Sequence, residues 1–139
     1  MATVLPFTLK AAGESEMTAA RYAWDDYRFH GVARIEGGEL VLEWGGEVER
    51  GDMGMLSVST TIDPVPTREV RIPPARLGAA ALRGGWWRPR LEVTIADLDA
   101  LAALPGSWRG RAVLRLTRRD LPVARAFVTE LALLQAGAT

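Results

Sequence analysis

Residues 84–134 read GGWWRPRLEVTIADLDALAALPGSWRGRAVLRLTRRDLPVARAFVTELALL, and their hydrophobic pattern decides the fold. From Trp86 the residues alternate. Trp87, Pro89, Leu91, Val93 and Ile95 fall on one side, and Trp86, Arg88, Arg90, Glu92 and Thr94 on the other. Period two of this kind predicts a long strand with one dry and one wet face, with Pro89 marking its start as an edge. Leu98, Leu101 and Leu104 then repeat at helical spacing before Pro105-Gly106 turns the chain. Residues 109–117 alternate again and direct Ala112, Leu114 and Leu116 inward. Asp120 is a predicted N-cap, with Pro122 in the first turn where its missing N–H costs nothing. Val123, Ala124, Phe127, Val128, Leu131 and Leu134 form the apolar stripe of the terminal helix that follows. Only a sheet is available to cover that stripe.

Working outward toward the N-terminus, residues 77–83 read as a short strand by context. Arg68 to Ile72 offers another, with Val70 and Ile72 inward, and Pro73-Pro74 ends it. Residues 53–62 alternate up to the break at Asp63-Pro64-Val65-Pro66, because proline supplies no ladder donor. Residues 45–52 read as a polar, mainly acidic connector. Before it, Leu40, Leu42 and Trp44 share a face, and Glu36-Gly37-Gly38-Glu39 forms a tight hairpin to a strand carrying Phe29, Gly31, Ala33 and Ile35 on one side. Residues 1–26 are read as a lead-in or an extra edge element, since Pro6 confines a strand over Thr3 to Leu9 to an edge. The expected domain is 27–139.

The fold class is therefore mainly β with one C-terminal α-helix: about seven antiparallel strands curled into a barrel that the helix caps. An up-and-down, lipocalin-like barrel is the competing architecture, although it normally needs more strands to enclose a ligand. The run from Val70-Arg71-Ile72-Pro73 through Gly85-Trp86-Trp87, Pro105-Gly106 and Asp120 to Leu131 resembles the small bacterial pleckstrin-homology-like (PH-like) domains of uncharacterised function. The resemblance covers residues 27 to 135 and implies a fold more than an activity. In the eukaryotic branch of that family, basic residues around the first hairpin loop hold inositol phosphates. Here the loop is short and acidic, which argues against that ligand.

Composition narrows the function classes. The chain has 139 residues, 17 basic and 17 acidic, and no cysteine. Its size suits one domain with its own core. No apolar run approaches the length of a membrane span. The opening MATVLPFTLK lacks the basic and apolar regions of a secretory signal, so a cytoplasmic location is expected. A net charge of zero gives no overall attraction to nucleic acid, and none is expected as a partner.

No catalytic residue, metal site or cofactor is assigned. His30 is the only histidine and is read as a surface residue; Ser57, Ser59 and Ser107 lack an activating base; Asp97 and Asp99 fit turn or capping roles better than an acid/base pair. Two groups of residues remain. Trp86, Arg88 and Arg90 on the wet face, with Trp108 beyond the Pro105-Gly106 turn, are interface candidates, because exposed aromatics beside arginine are typical anchors of association. Arg109, Arg111, Arg115, Arg118 and Arg119 are candidates for an anion site, the alternative being a solvated, salt-bridged sheet face. The expected function is a non-enzymatic protein-interaction module that associates with a protein partner, itself included as a homo-oligomer, through the Trp86 to Arg90 edge. Binding of an anionic ligand or membrane surface is the alternative.

Overall fold

The computed structural model describes residues 3–10, 15–18, 20–105, 107 and 109–137. Among them the chain runs β1 (Val4–Lys10), β2 (Ser15–Met17), β3 (Arg21–Glu36), β4 (Glu39–Gly54), β5 (Val58–Ile72), β6 (Leu77–Arg83), β7 (Arg90–Ile95), α1 (Leu98–Ala103), β8 (Arg111–Arg115) and α2 (Leu121–Gly137). Seven strands follow the antiparallel order β5-β4-β3-β1-β8-β7-β6, and β2 pairs with β3 off that path. The mainly β class with a C-terminal helix holds.

Connectivity requires the sheet to curl. β5 and β6 lie at opposite ends of the hydrogen-bonded path, and six inter-strand steps of about 4.8 Å would part them by roughly 29 Å in a flat sheet. Yet only residues 73–76, one of them opening a single 3-10 turn over Pro74–Arg76, separate Ile72 from Leu77. Five extended Cα steps span at most about 18 Å. The two ends are thus brought round toward each other, although no pairing joins β5 to β6 among the described residues.

Inside the curl the alternation seen in the sequence becomes burial. Leu40, Leu42 and Trp44 of β4 pack with Leu91, Val93 and Ile95 of β7 and Ala112 and Leu114 of β8 in one cluster. Helix α2 contributes Ala124, Phe127 and Leu131, each at most 1% exposed, while Val123 and Val128 pack at the margin. Gln135 near its end donates to the carbonyls of Leu77 and Gly78 at 3.0 and 2.6 Å, tying α2 to β6. Asp97 caps α1 by accepting from the backbone N–H groups of Asp99 and Ala100, the structural role expected of that pair. Asp120 accepts a hydrogen bond from the Thr117 hydroxyl at 2.8 Å in the turn that precedes α2.

Several sequence expectations need correction. β1 lies inside the sheet between β3 and β8, with Leu5, Phe7 and Leu9 buried, rather than at an edge. Pro6 is tolerated there because the β1 to β8 ladder consists of the single pair Thr8 and Arg115, so no donor is required of it on that side. Residues 45–52 are no connector but the middle of β4, which runs 16 residues in register with β3. β5 continues through Pro64 and Pro66 with one irregularity opposite Trp44 and Gly46, so 58–72 is one strand. As the terminal strand of the path it has an open side on which a missing N–H is harmless. Finally, the strand predicted from Trp86 begins only at Arg90.

The distal halves of β3, β4 and β5, with β2, form an arm that contributes no buried residue to the core cluster. Cross-strand pairing sets Met17, Tyr22, Met53 and Val58 in one row across its four strands. Tyr22 stacks on Trp24 at 5.4 Å between ring centroids. Residues 55–64 are exposed throughout.

Candidate functional site

Gly84 and Gly85 have φ of +80° and +58°, conformations that side chains disfavour. They turn the chain sharply out of β6, and the Arg88 N–H closes the loop on the Gly84 carbonyl at 3.2 Å. A Cβ on Gly84 would collide with the Arg88 carbonyl oxygen, so a glycine is needed for this closure. The loop throws both indoles outward. Trp86 is 58% and Trp87 75% exposed, against the expectation that Trp87 would join the core. Alternation misled because it was extended across a turn that begins before β7 does. The rings meet edge to face at 5.4 Å.

The loop is anchored on the end of β8. The Leu116 N–H donates to the Pro89 carbonyl at 3.0 Å, and Pro89 itself is buried. After Thr117 a 3-10 turn over Arg118–Asp120 lifts Arg118 toward the indoles. Its guanidinium carbon sits 4.0 Å from the Trp86 centroid and 4.9 Å from that of Trp87, a cation–π arrangement. Between the loop and residues 115–118 lies an open cleft of about 640 Å³, lined chiefly by Trp87, Arg88, Arg90, Arg115, Leu116 and Arg118.

The cleft is rich in cations that the protein itself leaves uncompensated. Arg83, Arg90 and Arg115 form a row across β6, β7 and β8. Among the described residues Glu92 takes three of the arginines here: Arg90 bonds it at 3.0 Å, with Arg111 at 3.7 Å and Arg83 at 3.9 Å. Arg88, Arg115 and Arg118 have no carboxylate partner among the described residues. The neutral total conceals this imbalance, because residues 21–72 carry ten acidic against six basic residues, and residues 73–137 carry ten basic against five acidic. The excess of acid lies with β3–β5, and the excess of base with the part of the chain that carries β6–β8 and α2.

Two sets of candidates separated in the sequence thus converge in part. Arg88 and Arg90 line one cleft with Arg115 and Arg118, brought together by the pairing of Arg90 with Arg115 across β7 and β8, and Trp86 joins them through the Arg118 guanidinium over its ring. Arg109 and Arg111 lie at the other end of β8, with Arg109 in a turn at φ +49° and Arg111 bridged to Glu92. Arg119 is exposed and does not line the cleft. Trp108 lies outside the described residues. Sequence reasoning missed Trp87 as a surface residue. The two consecutive glycines before it were the available signal.

The remaining chemistry-bearing residues are dispersed. His30 is exposed beside a shallow groove shared with Glu43, Gly45 and Thr67, and Glu43 is taken by Arg34 at 2.9 Å. No three His, Cys, Asp or Glu among the described residues are placed to hold a metal ion, and no helix among them is long and apolar enough to cross a membrane. Arg34 also bonds Glu36 at 2.8 Å and reaches Glu69 at 3.3 Å. That hydrogen bond from Arg34 holds the Glu36 carboxyl below its ordinary pKa, and Glu36 and Glu43 together raise that of Arg34. Compared with known proteins, the chain matches no family model, no curated protein and no solved structure.

Proposed function

We propose that the protein is a non-enzymatic protein-interaction module whose Trp86–Arg118 cleft captures an acidic segment of a partner protein. One observation carries this reading: Arg88, Arg115 and Arg118 line one cleft with exposed Trp87, and Arg118 also lies over exposed Trp86, while none of the three has a carboxylate partner among the described residues. Carboxylates of a partner would receive charge-assisted bonds from the guanidinium groups. Apolar side chains between them would cover the indoles, which a free inorganic anion cannot do. The strand order β5-β4-β3-β1-β8-β7-β6 followed by a terminal helix supports reading the fold as PH-like. The hairpin between β3 and β4 is acidic, so this module would not use the phosphoinositide loop of the eukaryotic family.

The test is a fluorescence titration of the full chain with a peptide alternating glutamate and leucine, at low and at high salt. Inorganic phosphate, phosphatidylserine vesicles and a single-stranded oligonucleotide serve as separate arms. The peptide is expected to bind at low salt, and Trp86→Ala or Arg118→Ala is expected to weaken it about ten-fold, the size of one interface anchor. High salt weakens the same complex. The proposal is wrong when the peptide fails to bind at low salt, when both variants bind it as the parent does, or when the phosphate, vesicle or oligonucleotide arm alone responds.

A further inference from the structure

The second unassigned surface is the open edge of β5 at the arm. A long, exposed edge strand offers unpaired N–H and C=O groups to any other strand, and folded proteins blunt such edges with charge, proline or cover. From Asp63 onward β5 has those devices: Asp63, Pro64, Pro66, Arg68 and Glu69. Residues 58–62, Val-Ser-Thr-Thr-Ile, have none. They are uncharged, β-branched at all but Ser59, and fully on the surface, with Val58 at 64% and Ile62 at 61% exposure.

The short segment is also self-complementary. In an antiparallel pair, directly opposed residues present their backbone groups in the same sense. A strand pairing with its own copy must therefore oppose residues of equal parity, which places the two-fold axis through a residue. An axis through Thr61 would set Val58 against the partner's Pro64, which has no N–H to donate. An axis through Ser59 would draw in Leu56 and Ser57, which lie in the turn before β5. An axis through Thr60 opposes Val58 to the partner's Ile62 and Ser59 to the partner's Thr61, and it stops short of both prolines. The Val58–Ile62 contacts then lie on the arm face that already carries Met17, Tyr22 and Met53.

We propose that two copies of the chain associate through residues 58–62 of β5, antiparallel about a two-fold axis at Thr60, so that the two arms form one continuous sheet. A self-complementary contact of this type closes at the dimer. Its size is small, since five residue pairs extend only about 17 Å. Such an interface falls toward the weak end of specific complexes, and a dissociation constant in the tens of micromolar is expected. The excess acid of residues 21–72 makes the halves repel, so salt strengthens this association, opposite to its effect on capture of an acidic segment at the cleft.

Sedimentation velocity of the full chain from about 1 to 300 µM is expected to show a monomer–dimer equilibrium. Thr60→Lys or Thr60→Glu should weaken it at least about ten-fold by setting like charges opposite each other. An equimolar mixture of the two variants should dimerise again. Because the chain has no cysteine, Thr60→Cys supplies an independent reading. Opposed residues of an antiparallel pair have Cα atoms about 4.5–5.5 Å apart, within disulfide reach. Oxidation should then give a covalent dimer, and exposed Arg125→Cys on α2 should not. A strict monomer over the whole range overturns the proposal. So does a dimer that persists in Thr60→Lys, or one abolished by Trp86→Ala, which would move the contact to the cleft.

Discussion

The indole of Trp24 occupies the space that a side chain on Gly51 would fill, and the two residues are paired across β3 and β4. Even a Cβ at Gly51 would overlap the ring. Trp24 also stacks on Tyr22, so the glycine seats the aromatic pair that stiffens the arm. Gly51→Ala is expected to cost about 1–3 kcal/mol by overpacking. In a Trp24→Ala background the same change should cost clearly less, and a double-mutant cycle by urea denaturation measures the difference. Equal costs in both backgrounds would disprove the contact.

The two tryptophan environments predict opposite responses. Trp44 is 2% exposed in the core cluster, whereas Trp87 is 75% exposed. Trp44→Ala is expected to lose about 3–5 kcal/mol of stability. Trp87→Ala should stay within about 0.5 kcal/mol, as for other surface changes. Acrylamide should quench Trp86 and Trp87 readily and Trp44 hardly at all. A large loss for Trp87→Ala would restore the buried assignment that the alternation of residues 86–95 predicted.

Phe127 is the largest of the fully buried side chains that helix α2 packs against the sheet. Phe127→Ala should cost about 3–5 kcal/mol. Leu133 on the same helix is 68% exposed, and Leu133→Ala is expected within about 0.5 kcal/mol. Thermal unfolding of both variants checks the pair; similar losses would mean that the helix is packed on another face.

Acid should release the Arg34 network. Glu36 has its pKa lowered in the fold by the Arg34 hydrogen bond. A carboxylate of this kind stabilises the folded state above its unfolded pKa, and the contribution is lost as pH falls through the lower, folded value. The window therefore opens near the ordinary glutamate value of about 4.3 and extends downward. Glu36 is exposed and Arg34 half-buried, so solvent screens the pair and the effect is small. The melting temperature of the parent should fall more between pH 6 and pH 3 than that of Arg34→Gln; parallel curves would show that the network contributes nothing.

Much of the core was legible in the sequence. Leu40, Leu42 and Trp44, then Leu91, Val93 and Ile95, then Phe127 and Leu131 were all assigned inward by periodicity, and all are buried. Leu116 and Val128 were also expected inside and pack at the margin. The candidate site was legible only as fragments: Trp86, Arg88 and Arg90 in one, Arg118 in another. Nothing local states that residue 88 and residue 118 line one cleft, because that follows from the pairing of β7 with β8.

The sequence by itself determined which side chains share a face within each element, since period two and the helical stripe are properties of local backbone geometry. The turn at Gly84-Gly85, where positive φ favours glycine, is local as well, but the alternation of residues 86–95 does not reveal it. Tertiary structure decided how far each strand continues and what lies beside it. β4 passes through Gly45-Gly46 because β3 and β5 hydrogen-bond it on both sides, and β5 passes through Pro64 and Pro66 because its open side needs no donor. β1 became interior, and Arg88 and Arg118, thirty residues apart, came to line one cleft. Each of these depends on partners distant in sequence, which local pattern does not specify.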